Sequence, residues 1–384
     1  MDNPFKKLNR SYRLILILSG VALVILVGLA TGSVEAAPSG QEIANESCLF
    51  CHSQPQMVKT FPNGETLSLF IDGSTFEHAV HGQEGIACVD CHEQMAQVPH
   101  PEFAAQTVRD AKLQLYTVCQ ECHFDRYNSV LDSVHQTALA SGNFNAAICT
   151  DCHNPHTQAR ITDKDTGEIL PEAHLFIPQT CARCHSAIYE SYKQTVHGAA
   201  LTEEGNLDVP TCIDCHGVHN IQSPTTAQFR NETPLLCARC HTDPAIMDKY
   251  GISTNVLDTY VADFHGTTVT LFEKTDPNLP TNKPVCTDCH GIHDIKAVDD
   301  PQAGIAIKEN LLVKCQRCHP DATANFPDSW MSHYIPSVEN YPVVYYVNLF
   351  YKILIPTVLG GMTLYVLTDI YRRFIARKKG EAHS

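Results

Sequence analysis

The chain has 384 residues and a formal net charge of −15, which argues against a nucleic-acid partner because no excess of basic residues would neutralise the phosphates. Its 18 cysteines fall below the roughly 8–10% of residues that marks small disulfide scaffolds, yet they are far too many for an ordinary cytosolic enzyme. The composition therefore raises one main question, which is the role of the cysteines.

The first 36 residues predict export. A short basic stretch leads into the nearly apolar residues 14–30, and Val34, Glu35 and Ala36 fit a small-residue cleavage site. This pattern is typical of a secretory signal peptide. The apolar stretch is also long enough for an uncleaved signal anchor, so both alternatives stay open. Either one places the following residues on the periplasmic, extracytoplasmic side of the cytoplasmic membrane.

All 18 cysteines fall in nine copies of the pattern Cys-x-x-Cys-His. This is the c-type haem attachment motif, in which two thiols bind one porphyrin and the adjacent histidine becomes the proximal ligand of its iron. Zinc ribbons and disulfides are alternatives, but neither requires a histidine after the second cysteine. The sequence therefore predicts nine covalently attached haem c groups. The cysteines are Cys48, Cys51, Cys88, Cys91, Cys119, Cys122, Cys149, Cys152, Cys181, Cys184, Cys212, Cys215, Cys237, Cys240, Cys286, Cys289, Cys315 and Cys318; the proximal histidines are His52, His92, His123, His153, His185, His216, His241, His290 and His319.

These motifs resemble those of the multihaem cytochrome c proteins, and the resemblance covers about residues 41–335. It implies covalent haem c throughout, mostly bis-histidine ligation of the iron, and a function in electron transfer. The motif is specific for the cofactor and much less specific for the redox partners.

The motifs alternate between two types. Four are Asp-type motifs, Cys-x-Asp-Cys-His, and they alternate with second-type motifs that read CQECH, CARCH, CARCH and CQRCH. The first motif, at Cys48, behaves like the second half of such a pair. The chain is therefore predicted to contain about four and a half two-haem repeats, which stack as the units of repeat proteins do. The Asp-type motifs contain Asp90, Asp151, Asp214 and Asp288.

Twelve histidines lie outside the motifs, and all but His383, in the predicted cytoplasmic tail, are candidates for the distal iron ligand. Methionine ligation by Met57, Met95 or Met331 stays an alternative, although none of these is in repeat register. Seven candidate histidines recur at one of two positions of the repeat, either three residues after an Asp-type motif or at the end of the segment that follows a second-type motif: His135, His156, His197, His219, His265, His293 and His333. The other four are His78, His81, His100 and His174.

Residues 343–368 are largely apolar and predict a second membrane segment. Tyr345, Tyr346 and Tyr351 stand at its start like an interfacial aromatic belt, and five basic residues follow between 372 and 379. By the positive-inside rule the tail is cytoplasmic, which agrees with an exported haem domain. The predicted domains are a signal segment at 1–36, a haem domain at 37–340, a transmembrane helix at 341–371 and a basic cytoplasmic tail at 372–384.

The fold class follows from the density of the motifs. Twenty-two prolines suggest loops that join short helices, and no alternating strand pattern appears. We therefore expect a mostly α-helical, coil-rich and elongated multihaem scaffold whose core is filled by porphyrins, with one or two transmembrane helices in addition.

The first functional hypothesis is a membrane-anchored chain of haems that transfers electrons between a quinone-linked membrane partner and a periplasmic or extracellular redox protein, as in a respiratory chain. The sequence resembles the membrane-anchored multihaem quinol dehydrogenases, although nine haems and a carboxy-terminal helix depart from the tetrahaem type. Neither apolar segment contains a histidine, so the quinone site is expected on a cytochrome b or another quinone-reactive subunit. The last motif is the expected membrane-side port because His333 lies only ten residues before Val343.

The second hypothesis is an oxidoreductase that resembles the octahaem nitrite, tetrathionate or hydroxylamine enzymes. Such an enzyme needs a haem with a vacant iron position, which is often marked by Cys-x-x-Cys-Lys. The chain has no such motif and a surplus of histidines, so we predict no catalytic residue.

Overall fold

The computed structural model describes residues 44–330 and 333–381, and it is mostly helical with extensive coil, as predicted. The signal segment at 1–36, Met331 and His383 lie outside the described residues. The α-helices are α1 (Asn45–His52), α2 (Gly73–His78), α3 (Val80–Gln83), α4 (Cys88–Cys91), α5 (Val108–Leu115), α6 (Phe124–Leu131), α7 (Val134–Ala140), α8 (Cys149–Cys152), α9 (Pro171–Ala182), α10 (Ser186–Lys193), α11 (Val196–Glu204), α12 (Cys212–His216), α13 (Ala227–His241), α14 (Pro244–Met247), α15 (Val256–Ala262), α16 (Phe264–Thr275), α17 (Cys286–His290), α18 (Lys308–Gln316) and α19 (Pro342–Glu381). Short 3₁₀ helices cover Glu93–Met95, Tyr116–Glu121, Asp248–Tyr250 and Phe326–Ser329.

A small antiparallel hairpin, which the sequence analysis did not predict, follows the first motif. Its strands are β1 (Val58–Thr60) and β2 (Thr66–Ser68), with Lys59 opposite Leu67. Strands of three residues are too short to show an alternating pattern. The signal that could have revealed them is the Asn63-Gly64 pair, where Gly64 has φ +88°, a turn conformation that favours glycine.

The Asp-type motifs each begin a helical turn, and their aspartate caps it. In α4, α8, α12 and α17 the carboxylate accepts a hydrogen bond from the backbone N–H just before the first cysteine. This contact satisfies a donor that a helix start leaves without a partner. The donors are Ala87 (2.8 Å), Ile148 (3.0 Å), Thr211 (2.6 Å) and Val285 (2.6 Å).

Three of the four second-type motifs end longer helices instead, whereas Cys119 lies in the 3₁₀ helix Tyr116–Glu121. Cys181, Cys237 and Cys315 lie in the last turns of α9, α13 and α18. The arginines of these motifs therefore sit at helix carboxyl ends, where a positive charge interacts favourably with the helix dipole. The alternation of motif types is thus an alternation between helix starts and helix ends.

The segments from His123 to His135 and from His185 to His197 are helical, but each is broken just before the second histidine. For example, α6 ends at Leu131, and His135 lies in the first turn of α7. The backbone N–H of Val134 then reaches the Ile221 carbonyl of a later repeat. The same contact recurs in other repeats: Val80 to Gln158 (2.8 Å), Val134 to Ile221 (2.8 Å) and Val196 to Ile295 (3.0 Å).

A glycine directly follows His81, His197 and His265. The recurrence of this glycine has a steric cause. A Cβ atom at Gly82, Gly198 or Gly266 would overlap a carbonyl oxygen of the preceding helix, and for Gly198 that oxygen belongs to Tyr192. Glycine is therefore required where two consecutive helices approach this closely.

We expect Gly198→Ala to destabilise the haem-loaded protein by about 1–3 kcal/mol or more, because the backbone of α11 must move away from Tyr192. Thermal unfolding followed by haem absorbance measures the effect. The matched control is Gln136→Ala, since Gln136 follows His135 as Gly198 follows His197 and already carries a side chain. Equal melting temperatures for the two variants would contradict the steric explanation.

Few apolar side chains are buried within the described part of the chain. Fifteen hydrophobic residues are buried, and one buried cluster consists of Phe61, Ala105 and Ala111. Several phenylalanines are largely exposed, including Phe50 (80%) and Phe264 (70%). An apolar cofactor would find much uncovered apolar surface here.

The last helix, α19, is the one apolar helix of the described residues that is long enough to cross a membrane. Its candidate span is Pro342–Ala376, with a mean hydropathy of 1.6 and no buried residues in the most apolar window. About 20 residues suffice to cross the hydrocarbon core. The helix continues to Glu381, so most of the predicted tail at 372–384 is helical.

Candidate haem-binding centres

Every motif histidine faces one histidine from outside the motifs, which gives nine imidazole pairs. The ring centres of each pair lie 6.0–6.3 Å apart. The pairs are His52–His100, His92–His156, His123–His81, His153–His219, His185–His135, His216–His293, His241–His197, His290–His333 and His319–His265.

This spacing fits an iron atom between the two rings. A metal–imidazole bond of about 2 Å and roughly 1.1 Å from the nitrogen to the ring centre, counted on both sides, give a separation of about 6.2 Å. Two opposed imidazoles are the axial pair of a bis-histidine haem, whereas a zinc site needs four converging ligands. The donor set of the nine pairs therefore suits haem iron.

Eight of the nine pairs link different repeats in a regular way, and His290–His333 lies within the last repeat. The histidine of an Asp-type motif faces a partner that follows it in the chain, as His153 faces His219. The histidine of a second-type motif faces a partner that precedes it, as His185 faces His135. The first motif departs from this rule, since His52 faces the later His100. No repeat thus completes its own pairs.

The candidate distal histidines fall into two groups, those that face a motif histidine and those that do not. All seven in repeat register face a motif histidine, and so do His81 and His100. The structure does not place His78 or His174 opposite a motif ring. His78 Nδ1 lies 2.7 Å from the Ser74 carbonyl oxygen, and His174 Nε2 lies 3.2 Å from that of Val209.

The second nitrogen orients several of the paired rings. A metal-binding histidine usually donates its other N–H to an acceptor, which fixes the tautomer and the ring plane. Here Nδ1 has such a partner and leaves Nε2 for the metal. The Nδ1 partners are the carbonyl oxygens of Leu69 for His52 (2.9 Å), Pro155 for His81 (3.0 Å) and Gln97 for His100 (2.9 Å), the amide oxygen of Gln158 for His153 (3.3 Å), the hydroxyl of Thr259 for His333 (3.1 Å) and the carboxylate of Asp263 for His265 (2.9 Å).

Burial keeps many of the paired imidazoles neutral. Burial, together with the smaller effect of the facing histidine, lowers the pKa of His197 and His290 to about 4. The pKa of nine other paired histidines is lowered by the same main cause. A neutral imidazole is the form that binds a metal, so burial favours the protonation state that ligation requires.

The cysteines of successive motifs lie near one another in the described part of the chain. The first cysteines meet in four pairs, and the second cysteine of each Asp-type motif lies close to the motif that follows. Together these contacts join all nine motifs in sequence order. The thiol pairs are Cys48–Cys88, Cys119–Cys149, Cys181–Cys212 and Cys237–Cys286, and the neighbours in the second set are Cys91–Cys119, Cys152–Cys181, Cys215–Cys237 and Cys289–Cys315.

Two arginines that the sequence analysis missed bind the aspartates of Asp-type motifs. Arg109 lies 2.7 Å from Asp151, and Arg230 lies 2.7 Å from Asp288. Burial alone would raise the pKa of Asp151, but the Ile148 N–H and the Arg109 guanidinium hold it below its usual value. Both arginines stand near the start of the helix region before a second-type motif, a signal too weak to detect in one sequence.

Two comparisons with known proteins agree with this geometry. Residues 74–154 match the family of cytochrome c7 and related cytochrome c. The chain is also similar to the multiheme cytochrome MtrA of Shewanella baltica (strain OS185), with 25% identity over 265 residues, which cover 56% of this chain and 72% of the relative. No solved structure matches the chain. The two matches support a multihaem cytochrome c, and with it covalent haem c and electron transfer.

Proposed function

We propose that the chain is a membrane-anchored nonahaem c-type cytochrome that transfers electrons between a quinone-linked membrane partner and a periplasmic or extracellular redox protein. The observation that carries the proposal is the set of nine imidazole pairs at 6.0–6.3 Å, one for each attachment motif. In each pair the motif histidine is the proximal ligand and the facing histidine the distal one. Haem iron supplies a one-electron carrier at each position.

The order of the carriers follows from the cysteines, because these side chains fix the position of each porphyrin. Since the cysteines of each motif lie near those of the next, cofactors that are neighbours in space are expected to be neighbours in sequence. An electron that enters at one end therefore has a continuous path to the other. The exposed apolar side chains near the motifs, such as Phe50, give the porphyrins an apolar lining.

Helix α19 anchors this path to the membrane. Its basic carboxyl end supports a cytoplasmic position by the positive-inside rule, and the haem domain is therefore proposed to lie on the periplasmic side. The helix contains no histidine, so it offers no ligand for a haem within the bilayer. Quinone chemistry accordingly belongs to a separate membrane subunit, a cytochrome b or another quinone-reactive protein.

The membrane-side port comprises the last two motifs rather than the ninth alone. His333, which lies nearest to α19, faces His290 of the eighth motif. Trp330 lies beside His265, the partner of the ninth motif, with ring centres 6.2 Å apart. The segment before Pro342 thus supports both sites.

Haem analysis and spectroscopy of the purified chain test the number of haems and the ligands of their irons. We expect nine haems per chain by pyridine haemochrome assay and mass, all low-spin by electron paramagnetic resonance. Quinol is expected to reduce the haems in native membranes but not in the isolated chain. Direct quinol oxidation by the isolated chain would contradict the need for a partner.

The oxidoreductase alternative makes the opposite prediction for the spectra. An enzyme acting on nitrite, hydroxylamine or tetrathionate needs an iron with one open position. Every motif histidine among the described residues has a facing imidazole, which disfavours such a site. A high-spin haem signal together with turnover of one of these compounds would support the enzyme.

A further inference from the structure

One imidazole pair differs from the others in charge. His265, which faces His319 of the ninth motif, has its Nδ1 atom 2.9 Å from the carboxylate of Asp263. The other Nδ1 partners found among the paired histidines are neutral carbonyl, amide or hydroxyl oxygens. No second carboxylate lies within ion-pair distance of a histidine in residues 44–330 and 333–381.

Other copies of the repeat have no carboxylate at the position of Asp263. Asp263 occupies the cap position just before the helix that carries the histidine, and it accepts the His265 backbone N–H at 2.9 Å. Ser133 and Thr195 occupy the same position before His135 and His197, where their hydroxyls cap the helices. Ala79 precedes α3 with no side-chain cap. A neutral residue therefore precedes this helix in the three other copies that the structure describes.

A carboxylate on the second nitrogen makes an imidazole a stronger donor to its metal. A stronger donor and a nearby negative charge both stabilise ferric iron relative to ferrous iron. Asp263 is 31% and His265 28% exposed at the side chain, so solvent weakens the effect without abolishing it.

We propose that Asp263 is a positioning residue that lowers the reduction potential of the haem held between His265 and His319. This inference rests on the proposed assignment of that pair as axial ligands. The ninth site is thereby made a weak electron acceptor and a strong donor to the eighth, which it neighbours through Cys315 and Cys289. An electron that reaches the ninth haem is then transferred to the eighth haem with a favourable free-energy change. Its return to the ninth haem is disfavoured.

The test is a redox titration of the full-length, haem-loaded protein with chemical mediators. The variants are Asp263→Ser, which copies the cap found at Ser133, and Asp263→Asn, which keeps an oxygen acceptor but removes the charge. We expect one component, about one ninth of the haem absorbance, to shift to a more positive midpoint in both variants. Thr195→Ser is the matched control and should shift none.

The low-spin spectrum distinguishes an effect of the lost Asp263 charge from a structural loss of iron ligation. All nine haems should stay low-spin in both variants if Asp263 acts through its charge. Unchanged midpoints with intact low-spin spectra would overturn the proposal, and so would a shift that accompanies loss of low-spin signal in the Asn variant. Because mediators replace every physiological partner, the result does not depend on whether quinol reduces the protein.

Discussion

A chain that receives no haem is expected to remain largely unfolded. Ordering each residue costs about 1–2 kcal/mol of backbone entropy, and the main compensation in most domains is buried apolar surface. Here only fifteen hydrophobic residues are buried in the described part of the chain, while side chains such as Phe124 and Phe176 are more than half exposed. The nine imidazole pairs also have nothing to hold them together unless a metal lies between them.

Expression with and without the cellular machinery for haem attachment tests this expectation. The haem-loaded chain should show cooperative thermal unfolding and resist protease. The haem-free chain should show neither, except for residual helix in α19, which is present in both forms. A haem-free chain with the same helical content and protease resistance would show that the polypeptide folds by itself.

Loss of a single distal ligand is expected to have a smaller effect, because each pair joins only two places in the chain. Imidazole pairs nevertheless connect different repeats, so no two-haem repeat contains all the histidines that its own two motifs face. The helix around His135, for example, provides a partner for His185 in the next repeat. This differs from repeat proteins in which each unit folds and then stacks on its neighbours.

The attachment motifs and most of the histidines that face a motif histidine could be predicted from the sequence, because both follow fixed local spacing. The Cys-x-x-Cys-His pattern is set by covalent chemistry, and the recurring histidines reflect a repeated helix start. The pairing of His153 with His219 could not be predicted, since it depends on how separate repeats dock. For the same reason His81 and His100 could not be separated from His78 and His174.

The fold was predictable in class but not in detail. Short helices and coil follow from the prolines, whereas the breaks before His135 and His197 depend on contacts with a later repeat, such as Val134 with Ile221. The alternation of aspartate and arginine motifs was visible in the sequence. Its meaning, helix starts against helix ends, required the structure.

Removal of residues 341–384 is expected to move the haem domain from the membrane to the soluble fraction, by more than about tenfold in the ratio of the two. A transmembrane helix is an effectively irreversible anchor, and α19 is the only candidate among the described residues. The truncation leaves His333 in place, so the eighth imidazole pair is retained.

The truncation experiment needs a second version, because a signal segment that is not cleaved would itself anchor the chain in the membrane. The truncation is therefore made both with the natural leader and with a leader of known cleavage. Release only with the second leader means that residues 14–30 are a second anchor. Retention in the membrane with both leaders would contradict the anchoring role of α19.

The haem spectrum and quinol-dependent reduction separate the anchor from the redox chain. We expect the released domain to keep nine low-spin haems, because none of the eighteen paired histidines lies beyond His333. Its reduction by quinol in membranes that contain the partner should become slow and dependent on protein concentration, since tethering no longer holds the last two motifs beside that partner. Undiminished reduction of the released domain would mean that docking of the haem domain, rather than α19, maintains contact with the membrane subunit.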